Sequence, residues 1–216
     1  MSAVADRIPV SPTCLAEGLV AVLRADDAAR YRPVVEVLVA EGVSCIELTL
    51  TTPGTLDVLA ELAAAVPQAE VGVGTVLRPE DARRAADAGA RFLVTPNAGT
   101  EVVRAGVERG LPVYAGAMTP SEAYSNWSAG AAAVKVFPAA TVTADFVKHL
   151  HGPFPGMPVV PSGGVGIGDI GAWLRAGAVA VSLGGPLLGD ALAGGDLDAL
   201  RGRAAAARAA VARARA

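Results

Sequence analysis

The sequence is poor in cysteine and lysine, and it has no long uninterrupted apolar stretch. Its two cysteines, Cys14 and Cys45, cannot form a disulfide framework, and Cys45 falls in the apolar run "SCIELTL", which predicts a buried free thiol. No apolar run is long enough to span a bilayer, and the N-terminus "MSAVADRIPVSP" lacks the basic segment and apolar core of a secretory leader. We therefore expect a soluble protein of the reducing cytoplasm.

Basic residues do not form the stripe that is typical of nucleic-acid-binding proteins. The formal net charge is -3, and the arginines are scattered apart from the tail "RGRAAAARAAVARARA". That tail predicts a solvated, Ala/Arg-rich C-terminal helix. The composition argues against nucleic acid and membranes as partners, and it leaves a small molecule as the expected ligand.

One pattern recurs along the chain: a segment with helical periodicity, a turn that contains glycine, and a short run rich in β-branched residues. Helical patterns include "YRPVVEVLVAEG" and "IGDIGAWLRAGA". Eight runs are predicted to be strands, at residues 19–24, 45–50, 70–76, 91–96, 111–116, 132–137, 158–163 and 178–185.

Nearly continuous apolar strands that alternate with helices predict a parallel sheet covered by helices. Eight such units favour a closed (β/α)8 TIM barrel. The alternative is a doubly wound sheet, which needs a glycine-rich turn after the first strand, but "ADDAARY" follows there. We expect a single α/β domain over residues 1–216, with the barrel core at about 16–190, a short N-terminal extension and the C-terminal helix.

Of the two lysines in the chain, Lys135 lies in the otherwise apolar stretch "AAAVKVFPAA". Burial of an ammonium group is costly, so a lysine in such surroundings tends to be neutral and hence nucleophilic. Glu47 lies in a similar way within the second predicted strand. Either the two form a buried salt bridge that only fills the barrel, or Lys135 attacks a ketone while Glu47 moves protons.

Glycine-rich segments follow the last two predicted strands, "PSGGVGIGD" and "VSLGGPL". Such segments expose backbone N–H groups, and phosphate binding at this place recurs in (β/α)8 barrels. The glycines either bind a phosphate or only form tight turns. His149 and His151 share an H-x-H spacing but lack a third ligand, so no metal or other cofactor is expected.

Five segments in order, "IELTLTTP", "VGVGTV", "LVTPN", "VKVFPA" and "VPSGGV", resemble the bacterial 2-keto-3-deoxy-6-phosphogluconate (KDPG) aldolases and the related KDPGal aldolases, which act on the galactonate epimer. The resemblance implies a class I, metal-free aldolase of Entner–Doudoroff carbohydrate metabolism on a (β/α)8 barrel, usually a homotrimer. It implies cleavage of a 2-keto-3-deoxy-6-phospho sugar acid to pyruvate and glyceraldehyde 3-phosphate.

The resemblance also implies roles for individual residues. Lys135 is the implied Schiff-base lysine, and Glu47 is the implied general acid and base. Thr75 in "GVGTV" and Pro96 after the fourth strand are implied to hold the pyruvate half of the substrate. The implied phosphate-binding segments contain Ser162, Gly163, Gly164, Gly184 and Gly185.

The sequence departs from the family pattern at two positions. Thr51 stands where many members have the arginine that binds the substrate carboxylate. We keep Thr51 in the predicted site and expect Arg24, in "AVLR", to supply the missing cation, unless Arg24 pairs with Asp26 or Asp27 instead. Gly185 stands where a serine often donates to the phosphate, which leaves backbone donors to bind that group.

Three other functions are compatible with the residues. The first is the same chemistry on another keto acid, such as 4-hydroxy-2-oxoglutarate. The second is a sugar-phosphate isomerase or epimerase that uses Glu47 as its base and forms no covalent adduct. The third is a protein that binds a phosphorylated ligand without catalysis, with Lys135 and Glu47 as a structural ion pair.

Overall fold

The computed structural model describes residues 7–216 and alternates strands with helices. Residues 1–6 of the predicted N-terminal extension lie outside the described part. Each predicted strand is present but shorter than its apolar run, because the apolar residues continue into the turns. The strands are β1 (Leu19–Leu23), β2 (Cys45–Thr49), β3 (Glu70–Gly74), β4 (Leu93–Val94), β5 (Val113–Ala117), β6 (Ala133–Val136), β7 (Val159–Pro161) and β8 (Val181–Leu183).

The strands are parallel and follow one another in chain order around the sheet. β1 pairs with β2 on one side and with β8 on the other, and each later strand pairs with the next as far as β7. A parallel bridge between Ser162 and Ser182 joins the ends of β7 and β8 and completes the ring. The predicted (β/α)8 barrel is therefore confirmed, and the doubly wound sheet is excluded.

Helices cover the outside of the barrel, and their starts follow ordinary capping chemistry. Thr119 and Glu122 form a capping box at the start of the helix Pro120–Ser128, and the Ser11 side chain accepts from a backbone N–H of the helix Pro12–Glu17. No helix within residues 7–216 has the length and hydropathy needed to cross a bilayer. The helices are α1 (Pro12–Glu17), α2 (Tyr31–Ala40), α3 (Thr55–Ala65), α4 (Pro79–Asp87), α5 (Thr100–Glu108), α6 (Pro120–Ser128), α7 (Asp145–His151), α8 (Ile170–Arg175), α9 (Gly185–Leu188) and α10 (Leu197–Arg215).

The C-terminal helix α10 is present as predicted, but it is not a wholly solvated tail. One face is buried, through Leu200, Ala204, Ala207 and Val211, and it packs against α8 and α2. Arg215 at its end donates to two carbonyl oxygens of α1. Small apolar side chains at helical spacing therefore make this helix part of the barrel shell.

Two apolar clusters fill the protein. The larger cluster lies between the strands and the surrounding helices. The smaller one fills the barrel interior, where the rings of Phe92 and Tyr114 stack with centroids 5.2 Å apart. Both cysteines are free and buried in this second cluster, as predicted for Cys45. Because the cluster occupies the amino-terminal half of the interior, it forms the floor on which the site at the other end rests.

Candidate active site

A cavity of about 340 Å³ opens at the carboxyl ends of the barrel strands. Active sites of (β/α)8 enzymes lie at this end, because the βα loops converge there. Every predicted site residue except Thr51 lines the cavity. The structure therefore brings together residues that are up to 161 positions apart, from Arg24 directly after the first strand to Gly185 after the eighth.

Lys135 on β6 and Glu47 on β2 approach each other at the floor of the cavity. Lys135 Nζ lies 3.6 Å from Glu47 Oε1, and the two side chains are 7% and 2% exposed. The second carboxylate oxygen, Glu47 Oε2, is buried and has no hydrogen-bond partner in the described chain. An unsatisfied buried polar atom costs about 1–3 kcal/mol. The free oxygen therefore favours a pair that acts on a ligand over a pair that only fills the barrel.

Glycine and an aromatic ring shape the surroundings of this pair. A Cβ atom at Gly74 would overlap the Glu47 carboxylate, so the glycine gives the carboxylate its room beside β3. The ring of Phe137, which follows β6, has its centroid 5.4 Å from Lys135 Nζ. Gly163 has a φ of 83°, and a Cβ there would lie 2.7 Å from that ring. Phe137 is thereby held against the β7 turn, where it shields the amine from water.

Thr75 and Pro96 are both held on the cavity wall. Thr75 has a φ of 60°, the one positive value at a non-glycine position in residues 7–216, and a β-branched residue is strained there. Pro96 is fixed by its neighbour Thr95, whose hydroxyl accepts from Gly116 N–H at 3.0 Å and donates to Asn97 O at 2.7 Å. A Cβ at Gly116 would overlap the Pro96 backbone. The loop after β4 therefore lies close over β5.

The wall formed by the ends of β7 and β8 is built from serine and glycine. Ser162 is 5% exposed, and the two glycines after it have φ values of 83° and 81°, which glycine adopts without strain. Gly184 and Gly185 lie at the start of the short helix α9. Among the described residues that line the cavity, only Arg24 and Lys135 are cationic. A phosphate at this wall would be held by hydroxyl and backbone N–H donors.

Arg24 reaches the cavity, whereas Thr51 does not. Arg24 is exposed at the rim, and no ion pair joins it to Asp26 or Asp27 in the described residues. The Asp27 carboxylate instead caps the next turn. The Thr51 hydroxyl donates to Thr49 Oγ1 at 3.1 Å, and Thr51 lies in a neighbouring groove. The structure thus leaves the Arg24 guanidinium available to a ligand.

The second lysine and the two histidines lie away from the cavity. Lys148 pairs with Asp145 at 2.8 Å on the exposed face of α7. His151 Nε2 lies 2.8 Å from the carbonyl oxygen of Met157, and His149 is exposed. Within residues 7–216, no group of three His, Cys, Asp or Glu side chains is arranged to hold a metal ion.

Sequence reasoning did not single out several further side chains of the cavity, among them the aromatic Phe137 and the polar Ser182. Phe137 belongs to the segment "VKVFPA", but an aromatic residue after a strand is most simply explained by packing. Ser182 is the one polar residue of β8, which is the kind of signal that singles out Lys135. A serine is much cheaper to bury than a charge, so its signal in the sequence is weaker.

A (β/α)8 barrel with a buried lysine beside a carboxylate at its mouth has the architecture of class I aldolases, lyases that act on carbon–carbon bonds through a Schiff base. Comparison with family models gives the family. The model described as "KDPG and KHG aldolase" matches residues 10–201. The chain belongs to this aldolase family.

Individual relatives agree with this assignment. The chain is 34% identical to the KHG/KDPG aldolase of Escherichia coli K12 over 77% of its own length and 79% of the relative. Its fold matches a native KDPGal structure with a TM-score of 0.85 at 31% identity, over 91% of this chain and 95% of the other. It also matches a Legionella pneumophila KDPG aldolase, captured with pyruvate as a covalent carbinolamine, with a TM-score of 0.82 at 26% identity, over 92% and 98% of the two chains.

Proposed function

We propose that this aldolase cleaves a 2-keto-3-deoxy-6-phospho sugar acid, KDPG or its galactonate epimer, to pyruvate and glyceraldehyde 3-phosphate. The observation that carries the proposal is the buried Lys135 and Glu47 pair, 3.6 Å apart at the floor of the cavity. The names of the relatives support this substrate class. The carbinolamine captured in the Legionella relative supports a covalent path through a lysine.

The proposed reaction begins when Lys135 adds to the C2 ketone. The Nζ lone pair forms the N–C2 bond, and the carbonyl electrons move to the oxygen and give a carbinolamine. That oxygen takes up two protons, the one that Nζ loses as the carbinolamine forms and the one that Lys135 and Glu47 share in the ion pair, and leaves as water, so a protonated imine remains. Glu47 lies close enough to Nζ to accept the proton that the amine loses and to return it to the departing oxygen.

The imine then serves as the electron sink for cleavage. Glu47 accepts the proton of the C4 hydroxyl, the C3–C4 bond breaks, and its electron pair moves into an enamine on Lys135 rather than into a free carbanion. Protonation of the enamine carbon by Glu47 and hydrolysis of the imine release pyruvate. One carboxylate can serve all these steps because each step returns the proton that the previous one took.

The remaining predicted residues orient the substrate. Arg24 supports the C1 carboxylate from the rim, and Thr75 and Pro96 hold the pyruvate half. Backbone N–H groups and a hydroxyl at the β7 and β8 ends, from Ser162, Gly163, Gly164, Gly184 and Gly185, hold the phosphate. Contacts at the two ends of the substrate direct the scissile bond towards the Lys135 and Glu47 pair.

Reductive trapping tests the covalent step. The protein is incubated with pyruvate and sodium borohydride, and the reduced pyruvyl adduct is located by mass spectrometry. We expect the adduct on Lys135 and its complete absence in Lys135→Met. Lys148→Met is the matched control, because Lys148 is exposed on α7 and should leave the adduct unchanged. A folded protein that forms no adduct would contradict the Schiff-base proposal and favour an isomerase that uses Glu47 as its base.

A comparison of substrates tests the phosphate site. We expect a higher kcat/KM on the 6-phospho sugar acids than on 4-hydroxy-2-oxoglutarate, because remote phosphate contacts contribute to transition-state binding. Equal values would identify a 4-hydroxy-2-oxoglutarate aldolase with the same chemistry. A third outcome is that the wild-type protein does not turn over the phosphorylated substrate and that Lys135→Met still binds it. That result would instead identify a binding protein.

We further propose that residues 1–216 form one domain that assembles as a homotrimer in the cytoplasm. The family resemblance supports the trimer, and the exposed Tyr124 ring, which stacks on Phe154 at 5.2 Å, offers an apolar surface for a contact. Sedimentation equilibrium measures the assembly. A monomer at micromolar concentration would contradict it.

A further inference from the structure

The strand registers arrange the inward-facing side chains of the barrel in layers of four, each layer taken from alternate strands. Glu47 pairs in register with Val22 and Gly72, and Lys135 pairs with Gly116 and Val160. In a tilted barrel, positions of equal height shift by about one residue per strand. When this shift is followed from Glu47 to β4 and from Lys135 to β8, it reaches Val94 and Ser182. The layer therefore consists of one inward-facing residue from each of β2, β4, β6 and β8: Glu47, Val94, Lys135 and Ser182.

This layer is the boundary between the packed interior and the cavity. The layers below it are formed by members of the inner apolar cluster, such as Val20, Phe92 and Tyr114. Three members of the layer, Glu47, Lys135 and Ser182, line the cavity, and Val94 belongs to the apolar cluster. Lys135 and Glu47 therefore have a hydroxyl on the β8 side and an aliphatic side chain on the β4 side.

Ser182 is buried without a partner. It is 3% exposed, and its Oγ forms no hydrogen bond to any described residue. The inward position two residues earlier, just before β8, is Ala180, which is fully buried. A hydroxyl that stabilised only the fold would be expected to have a partner, because an unpaired buried hydroxyl is a net cost. A ligand bound in the cavity is the natural partner for this group.

Two unpaired groups in the layer complement each other chemically. Ser182 offers an O–H donor, and Glu47 Oε2 offers an acceptor. The C2 oxygen of a carbinolamine is a hydroxyl, which can accept one hydrogen bond and donate another. The phosphate fits this place less well, because the segments proposed to bind it lie beyond the strand ends, whereas Ser182 is at the level of Lys135.

We propose, on the basis of the aldolase function above, that Ser182 is a further catalytic residue, whose hydroxyl donates a hydrogen bond to the C2 oxygen while Lys135 adds to C2. The carbonyl electrons that move to this oxygen as the N–C2 bond forms are stabilised by the Ser182 donor. Glu47 then delivers the proton with which the oxygen leaves as water, and Ser182 keeps its own proton throughout.

Pyruvate alone tests this role, because it forms the imine and carries no phosphate. Two rates are measured for each variant: formation of the borohydride-trapped adduct in a rapid-quench experiment, and exchange of the pyruvate methyl protons in D2O by NMR. For Ser182→Ala we expect both rates to fall about tenfold or more, the effect of losing one donor to a developing oxyanion. Melting temperature and circular dichroism verify that the variant is folded.

Two further variants separate the hydroxyl from other causes. Ser182→Cys nearly keeps the side-chain volume but donates weakly, so we expect it to be as slow as Ser182→Ala. Ser162→Ala, on the other side of the bridge between β7 and β8, should raise the KM for phosphorylated substrate, and it should slow the two pyruvate rates less than Ser182→Ala does, because pyruvate carries no phosphate. This contrast distinguishes a donor at C2 from a donor to the phosphate.

The outcomes are distinct. Unchanged pyruvate rates in Ser182→Ala, or full recovery of the rates in Ser182→Cys, overturn the role of the hydroxyl while the wild-type adduct on Lys135 keeps the aldolase proposal intact. Absence of the adduct in the wild-type protein overturns the aldolase mechanism itself and this inference with it. Slow adduct formation in both variants, with unchanged melting temperatures, supports the inference.

Discussion

The two ends of one barrel interior are built on opposite rules. At the amino-terminal end, Phe92, Tyr114 and their neighbours pack into an apolar cluster, in which the Tyr114 hydroxyl is buried without a partner among the described residues. At the carboxyl end, the same strands carry Lys135 and Glu47, the buried atoms Glu47 Oε2 and Ser182 Oγ remain unpaired beside the cavity, and glycines stand in place of larger side chains. The first end can stabilise the fold by packing, and the second end carries the cost of groups that await a ligand.

The strand β3 shows the contrast within three residues. Gly72 leaves space that the Phe92 ring fills, since a Cβ at Gly72 would lie 2.5 Å from ring atoms. Gly74, the next inward position, leaves space that the Glu47 carboxylate fills. The same residue type on the same strand therefore makes room for a packed ring in one layer and for the proposed catalytic carboxylate in the next. Stability and activity should separate along this strand.

Alanine at the two glycines gives the largest expected effects. In Gly74→Ala the methyl group displaces the Glu47 carboxylate, and misplacement of a catalytic group by about 1 Å lowers kcat/KM about 100-fold. In Gly72→Ala the methyl group presses on Phe92, and overpacking of this kind costs about 1–3 kcal/mol of the free energy of unfolding. We expect activity per folded Gly72→Ala molecule to stay within about threefold of the wild type.

Steady-state kinetics and urea unfolding check this pair of variants together. Neither glycine has a positive φ, so backbone strain does not complicate the comparison. The division between the two ends would be broken by a Gly72→Ala protein that is folded yet inactive. It would equally be broken by a Gly74→Ala protein that keeps full activity, since the Glu47 position would then be unimportant.

Removal of the Arg24 charge should weaken substrate binding at the carboxyl end of the barrel and leave the amino-terminal end unaffected. For Arg24→Gln we expect the KM to rise about tenfold or more with little change in kcat, because a charge-assisted hydrogen bond to the carboxylate acts in both ground and transition states. Arg32→Gln is the matched control, since Arg32 pairs with Glu36 on the exposed face of α2. An unchanged KM in Arg24→Gln would show that another group binds the carboxylate.

The sequence carries more information about the carboxyl end of the barrel interior than about the amino-terminal end. Lys135 and Glu47 could be predicted because a charge inside an apolar strand is rare and costly. Arg24 could be predicted only with the help of the family resemblance, and the structure brings it to the cavity while it leaves Thr51 outside. The strand ends were overestimated, because apolar residues continue into turns that line the site.

Layer membership could not be predicted in the same way. That Ser182 shares a layer with Lys135 follows from strand registers, which depend on the closure of the whole barrel. The partnership of Gly74 with Glu47 depends on where a side chain from a neighbouring strand comes to lie. A single position of the sequence does not encode which residues of other strands it will contact. These contacts nevertheless determine the role of each glycine or serine.

Alkaline pH should lower the stability of the protein through groups at the amino-terminal end of the barrel interior, and this is the smallest of the expected effects. Burial is the main cause that raises the pKa of Tyr114, and nearby Cys14 and Cys45 add to it. The pKa of the Cys45 thiol is raised mainly by its hydrogen bond with Cys14 and, to a smaller extent, by burial. The unfolded chain loses these protons at its ordinary values of about 8.5 for cysteine and about 10 for tyrosine, while the folded chain keeps them.

The stabilisation from these groups is therefore complete below pH about 8.5 and decreases as the pH rises above it. We expect the free energy of unfolding, measured by urea titration from pH 7 to pH 11, to fall by at least about 1 kcal/mol per unit above pH 10, where the tyrosine contributes. Tyr114→Phe removes that hydroxyl and should flatten the upper part of the profile. An identical slope in wild type and Tyr114→Phe would show that the lower interior admits water around this hydroxyl, so that the two ends differ less than their packing indicates.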